Sequence, residues 1–259
     1  MLDTIQYLLG AGSGVLVGFV LGLVGGGGSI LAVPLMVYLV GVSSPHVAIG
    51  TSALAVAVNS LTGLVSHVRK GNVKRRCSLV FAAAGVAGAF GGSSVGKAFD
   101  GQKMLFLFAI VMVVVGILML LNRKREGDPS VVLGRDNAPK LVGYGLGTGI
   151  FSGFFGIGGG FLIVPGLVGA TGMPMIKAVG SSLVAVTAFG LATAANYAFS
   201  GLIDWGLAAV FISGGIVGGL AGAHLATKLS GSGDRLTAVF AGLIFLVAGY
   251  MLWKSSASF

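Results

Sequence analysis

The sequence predicts an all-α polytopic membrane protein: two inverted-topology repeats whose glycine-broken, proline-kinked helices surround a central cavity. Three observations predict it: the composition, a duplication within the chain and the placement of the basic residues. Of 259 residues, 55% are hydrophobic and only 9% are charged, with a mean hydropathy of +1.00. Soluble domains carry about 25% charged residues, so this chain cannot clothe a soluble surface. Apolar runs near the roughly 20 residues that span a hydrocarbon core recur from Leu8 to Trp253, which makes the bilayer the solvent.

The duplication appears when the first half is laid on the second. Gly14, Gly18, Gly22, Gly25, Gly27, Gly28, Leu31, Val33 and Pro34 meet Gly145, Gly149, Gly153, Gly156, Gly158, Gly159, Leu162, Val164 and Pro165. After a one-residue shift in the next loop, Gly50, Ser52, Ala55 and Val56 meet Gly180, Ser182, Ala185 and Val186. Farther on, Gly71, Phe81, Gly85, Gly88 and Gly92 meet Gly201, Phe211, Gly215, Gly218 and Gly222. A matched order of breaks, proline and hydroxyl pairs is the mark of a repeat rather than of shared composition.

The elements follow in order. A first repeat, 1–122, holds apolar segments at Ile5 to Val24, Ser29 to Val42, Val47 to Val68, Ser78 to Phe99 and Met104 to Asn122. A basic linker, 123–140, leads to a second repeat, 141–259, with the counterparts between Leu141 and Trp253. Five segments is an odd number, so a tandem second copy enters the membrane upside down, the plan of many secondary transporters. The first two segments of each copy are short and joined by glycine runs. They either cross fully or dip to mid-membrane and return, and neither choice moves the other loops.

The basic residues set the orientation, because they concentrate on the cytoplasmic side. With the loop Arg69, Lys70, Lys74, Arg75 and Arg76 inside, Arg123, Lys124, Arg125, Arg135, Lys140, Lys177, Lys228 and Arg235 also fall inside. Only Lys97, Lys103 and Lys254 of the 16 basic residues lie outside. Both termini then come out extracytoplasmic, in a bacterial-type inner membrane. The amino terminus, MLDTIQYLLG, lacks the basic region and cleavage site of a signal peptide, so its apolar run is expected to be retained.

Several function classes are excluded. The net charge of +9 does not signal nucleic acid, since the basic residues sit in short loops between apolar runs. One cysteine, Cys77, allows no intrachain disulfide, and His46, His67 and His224 are too scattered to hold a metal. All seven acidic residues, Asp3, Asp100, Glu126, Asp128, Asp136, Asp204 and Asp234, lie at segment ends or in loops. Cation transporters and proton pumps usually keep a carboxylate within the membrane. There is no Walker sequence and no GxSxG elbow, so no enzyme and no cofactor is expected.

The candidate site lies at the glycine runs. Gly25 to Ser29 and Gly156 to Gly160 oppose helix by roughly 1 kcal/mol per glycine, so some other gain must hold them. Unwound chain at membrane depth lets the next helix present free N–H groups and a positive dipole end to an anion. Gly27, Gly28, Ser29, Gly158, Gly159 and Gly160 are therefore the expected substrate contacts. Thr51, Ser52, Ser181 and Ser182, which open the third segments, add hydroxyl donors, or else serve as caps and back-bonds. Asn59 and Asn196 line the cavity or bridge helices; Pro34 and Pro165 kink them. Gly14, Gly18, Gly22, Gly88, Gly92, Gly96, Gly214, Gly218 and Gly222 read instead as close helix crossings.

The stretches GFVLGLVGGGGSILAVPLMVYLVG and HVAIGTSALAVAVNSLTG, with GIFSGFFGIGGGFLIVPGLV and KAVGSSLVAVTAF in the second half, resemble the TauE/SafE family. The resemblance spans nearly the whole chain. It implies a secondary transporter of sulfur-containing anions such as sulfite and organosulfonates, working among membrane lipids. An anion channel of the same architecture and a non-transporting structural membrane protein stay open beside it. The sequence sets neither direction, driving ion nor oligomeric state.

Overall fold

The computed structural model describes residues 3–121, 128, 133–156, 159–228 and 233–256. Among them it is all helix and turn. Chain order runs α1 (Thr4–Val24), a 3-10 turn (Gly25–Leu31), the three-residue α2 (Ala32–Pro34) and a π-turn (Leu35–Leu39). Then come α3 (Pro45–Arg69), α4 (Arg75–Ala98), α5 (Gly101–Leu121), α6 (Ala138–Phe155), α7 (Gly160–Thr171), α8 (Met175–Ala198), α9 (Trp205–Lys228) and α10 (Gly233–Ser256). Six helices among the described residues are long and apolar enough to cross a membrane.

The helices pair across the two halves. α1 lies on α9, and α4 lies on α6, the counterpart of α1. The glycines explain both crossings. A Cβ on Gly14, Gly18 or Gly22 would run into the backbone of Phe211, Gly215 or Gly219, and one on Gly145, Gly149 or Gly153 into that of Phe81, Gly85 or Ala89. Gly214, Gly218 and Gly222 press on Ala11, Val15 and Phe19 as Gly88, Gly92 and Gly96 press on Leu146, Ile150 and Phe154. Apolar tails match lipid tails, so backbone proximity and dispersion rather than hydrophobicity hold such pairs.

Between the two pairs cross α3 and α8, counterparts of one another. They run antiparallel, since Gly50 near the start of α3 abuts Tyr197 at the end of α8, whereas Gly180 near the start of α8 abuts His67 at the end of α3. α3 is 25 residues long, about 37 Å, so its ends mark two faces of the molecule. On the first face, Lys177 Nζ donates to Gly71 O (2.8 Å). On the second, Asp204 N donates to Thr51 (3.0 Å) and Lys97 Nζ to Ser200 (2.8 Å). The basic turn 69–76 and the loop 200–206 thus stand at opposite ends of the bundle. Phe199, Trp205 and Trp253, 86%, 65% and 72% exposed, gather near the second face as an interfacial aromatic belt would.

The leading segments return to the face they left. Gln6 Nε2 in the first turn of α1 donates to Val40 O (3.0 Å), so the chain enters and leaves this hairpin at one end. Pro34 stands at its bend, buried, and the π-turn follows directly, as a missing N–H favours. In the second half α6 and α7 form the matching hairpin from the first face, with Pro165 inside α7 and turned outward. α5 and α10 close one flank: a Cβ on Gly116 would stand 2.9 Å from the Phe245 ring, and Phe108 packs on Phe155 with ring centroids 5.5 Å apart.

Candidate functional site

The tips of the two hairpins meet inside the bundle. A Cβ on Gly26 would stand 2.9 Å from Gly160 Cα, 2.9 Å from Val186 Cγ2 and 3.1 Å from Ser182 Oγ. Glycine is required on both sides: a Cβ on Gly160 would enter the backbone of Gly26. Gly27, Gly28, Ser29, Gly159 and Gly160 are all buried; Gly158 lies outside the described residues.

The two tips differ in build. In the second half Gly156 (φ 66°) and Gly159 (φ 64°) adopt the left-handed conformation that side chains resist, and this frees the start of α7. Gly159 O accepts from both Leu162 and Ile163 (2.9 Å each), so the N–H groups of Gly160 and Phe161 precede the first acceptor within the helix. The positive end of a 12-residue helix thus opens at the tip. The first half winds its glycines into a 3-10 turn, and Gly28 folds back on α1, where a Cβ would stand 2.5 Å from Leu21 N. Valine at Gly28 or Gly159 would therefore break the hairpin itself, and neither substitution isolates a binding role.

The hydroxyls divide by position. Thr51 and Ser181, counterparts, accept the backbone N–H of Asp204 (3.0 Å) and of Lys74 (2.9 Å), each at the start of the opposite half's fourth helix. They cap, which is what their place beside the loops allows. Ser52 and Ser182, one residue on, turn inward. Ser52 Oγ donates to Ile49 O (3.0 Å) and reaches Gly156 O at 3.5 Å; Ser182 Oγ donates to Val179 O (2.8 Å) beside Gly26. Each thus touches the other half's break. Ser29 donates to Gly26 O (2.9 Å) within its own turn.

One residue was missed by sequence reasoning. Ser152, on the last turn of α6, is fully buried and its Oγ has no partner among the described residues. It lies 2.7 Å from where a Cβ on Gly159 would stand, beneath the start of α7. Its counterpart in the first half is Leu21, so a search for hydroxyls that recur in both halves passes over it. The available signal was its place one turn before a glycine break.

The asparagines part company. Asn196 bridges helices: its Nδ2 donates to Phe90 O (3.1 Å), Ser93 (2.6 Å) and Ser94 (2.9 Å), and its Oδ1 accepts from Lys97 Nζ (2.8 Å). Asn59 is 3% exposed, and neither amide atom has a partner among the described residues. It fills the space that Gly215 leaves, as its counterpart Phe189 fills the space at Gly85.

No residue of 8–37, 47–66, 145–173 or 178–196 carries a charge, so every donor near the tips is neutral. Among the described residues no group of His, Cys, Asp or Glu could hold a metal ion.

This is a polytopic all-α membrane protein whose interior offers helix-end dipoles and hydroxyls. The family model for "Sulfite exporter TauE/SafE" matches residues 10–251, and the chain belongs to that family, which implies a membrane transporter. A "Probable membrane transporter protein" of Xylella fastidiosa (strain Temecula1) is 52% identical over 259 residues, covering 98% of each chain. The "Probable membrane transporter protein YdhB" of Bacillus subtilis is 27% identical over 246 residues, covering 89% of this chain and 96% of its own. No solved structure matches the chain.

Proposed function

We propose that the chain is a secondary transporter of a small sulfur-containing anion, sulfite or an organosulfonate, which binds where the hairpin tips meet. The observation that carries this reading is Ser152: a buried hydroxyl without a partner, set under the positive end of α7. A buried polar group is normally hydrogen-bonded, so one left open at a helix start fits an anion's oxygen. The backbone of Gly159 and Gly160 completes the binding surface; Ser52 on the second-face side and Ser182 on the first-face side flank it from either end, while Thr51 and Ser181 hold the helices that frame it.

Repeats 1–122 and 141–259 act as the two inverted halves, and alternating access exposes the tips to one face and then the other. Reciprocal pairing of α1 with α9 and α6 with α4, and the antiparallel α3 and α8, support that reading. The basic first face is cytoplasmic by the distribution of lysine and arginine, which leaves both termini extracytoplasmic. The test is uptake of sulfite and alkanesulfonates into proteoliposomes holding the purified protein. Saturable flux is expected. Absence of flux for every small anion would sink the transport reading, and macroscopic current without saturation would mark a channel instead.

A further inference from the structure

We propose that this site selects by charge number, taking a singly charged oxyanion such as an alkanesulfonate or bisulfite and rejecting doubly charged sulfate, hydrogenphosphate or sulfite dianion. The inference rests on the anion site above and adds its substrate class.

The segments that form the tips and the helices behind them, 8–37, 47–66, 145–173 and 178–196, contain no charged residue. Two basic side chains at the ends of α8 are bonded at the two faces: Lys177 Nζ to Gly71 O (2.8 Å), and Lys97 Nζ to Asn196 Oδ1 (2.8 Å) and Ser200 Oγ (2.8 Å). What remains for an anion is neutral: the dipole end of α7 and the Ser152 hydroxyl, with the Ser52 hydroxyl toward one face and that of Ser182 toward the other.

Neutral donors make the charge decisive. The penalty for taking an ion from water into an apolar surround grows as the square of its charge, whereas its attraction to fixed dipoles grows only in proportion. Going from one charge to two raises the penalty about fourfold and the attraction about twofold. A site that just balances a monoanion therefore repels a dianion unless a lysine or arginine enters it. None of the four segments supplies one. The apolar walls also suit the alkyl group of a sulfonate, which a bare dianion cannot use.

The test uses the purified full chain and three solutes of similar size: methanesulfonate (one charge), sulfate (two) and dimethyl sulfone (none), titrated calorimetrically at constant ionic strength. Methanesulfonate should bind about tenfold or more tighter than either of the others. Ser152→Ala should weaken methanesulfonate binding by about twofold to tenfold, the value of one hydrogen bond. On the unaltered protein, affinity for total sulfite should rise as pH falls and bisulfite replaces the dianion, while methanesulfonate affinity stays flat. Equal affinity for methanesulfonate and sulfate, both above the sulfone, would overturn charge-number selection and leave the anion site standing. Sulfite binding independent of pH would overturn it as well. Equal binding of all three solutes, or of none, would remove the anion site itself.

Discussion

Replacing Gly18 with alanine, and separately Gly12, puts the close-crossing account of α1 to a sharp test, because both glycines lie on the same helix. A methyl at Gly18 would sit 2.6 Å from Gly215 Cα and equally close to its carbonyl carbon, and would overlap the carbonyl oxygen. Carbon contacts settle near 3.5–4.0 Å, so the helices must part by about 1 Å or distort. Backbone cannot rotate aside as a side chain can. Overpacking of this kind costs about 1–3 kcal/mol or more, against a gain of about 1 kcal/mol from alanine's better helix propensity. The balance is a loss of up to about 2 kcal/mol, spread along a crossing where Gly14 and Gly22 also touch backbone. At Gly12 nothing lies within 4 Å of the added methyl, so only the propensity gain remains. The two variants should differ by about 1–3 kcal/mol, or roughly 2–12 °C in melting temperature. Cys77, the single cysteine and buried, supplies the assay: a thiol-reactive dye lights up only as the bundle opens. Equal melting of both variants, or a Gly18→Ala protein at or above wild type, would refute the argument.

Other expectations follow from the same contacts. Asn196→Leu strips partners from the Lys97 ammonium, Ser93 and Ser94, and should lower stability by about 2 kcal/mol in the dye assay. Asn59→Leu removes two amide atoms that have no partner, so its stability should match wild type or rise by about 1 kcal/mol; a large loss would show that Asn59 is bonded after all. Thr51→Val and Ser181→Ala, which break counterpart caps, should each cost about 1 kcal/mol and nearly the same amount. With Cys77 replaced by alanine, single cysteines at Lys70 and Ser200 should label from opposite sides of sealed vesicles. Labelling of both from one side would overturn the arrangement of α3, α4, α8 and α9.

Much of the fold was legible because membrane packing writes itself in small residues. Gly14, Gly18 and Gly22, read as crossings, cross, and so do Gly88, Gly92 and Gly96. Whether the leading segments spanned or returned was not legible, since length alone fits either and both leave the ends on one side, as the Gln6–Val40 contact places them. The candidate site was legible in outline only. Repetition pointed to the glycine runs and to the hydroxyls at 51, 52, 181 and 182, yet it could not separate Thr51 and Ser181, which cap, from Ser52 and Ser182, which face inward. That difference is a helical turn's rotation of about 100° per residue, visible only once the neighbours are placed. Repetition also concealed Ser152, because the halves have diverged where their tips differ: one starts a real helix at Gly160, the other a 3-10 turn at Gly25. Asn59 and Phe189 record the same divergence in equivalent spaces.

The central claim, that a small anion binds at the meeting of the hairpin tips and is carried across, is tested most directly by counterflow. Proteoliposomes loaded with unlabelled methanesulfonate should accumulate external labelled methanesulfonate transiently, without an added gradient, as a carrier with one alternating site requires. Replacing Ser52 and Ser152 together with alanine should raise the half-saturation concentration by about tenfold while melting temperature and incorporation hold. Counterflow that is absent in wild type, or that keeps its half-saturation concentration in the double variant, would contradict the account.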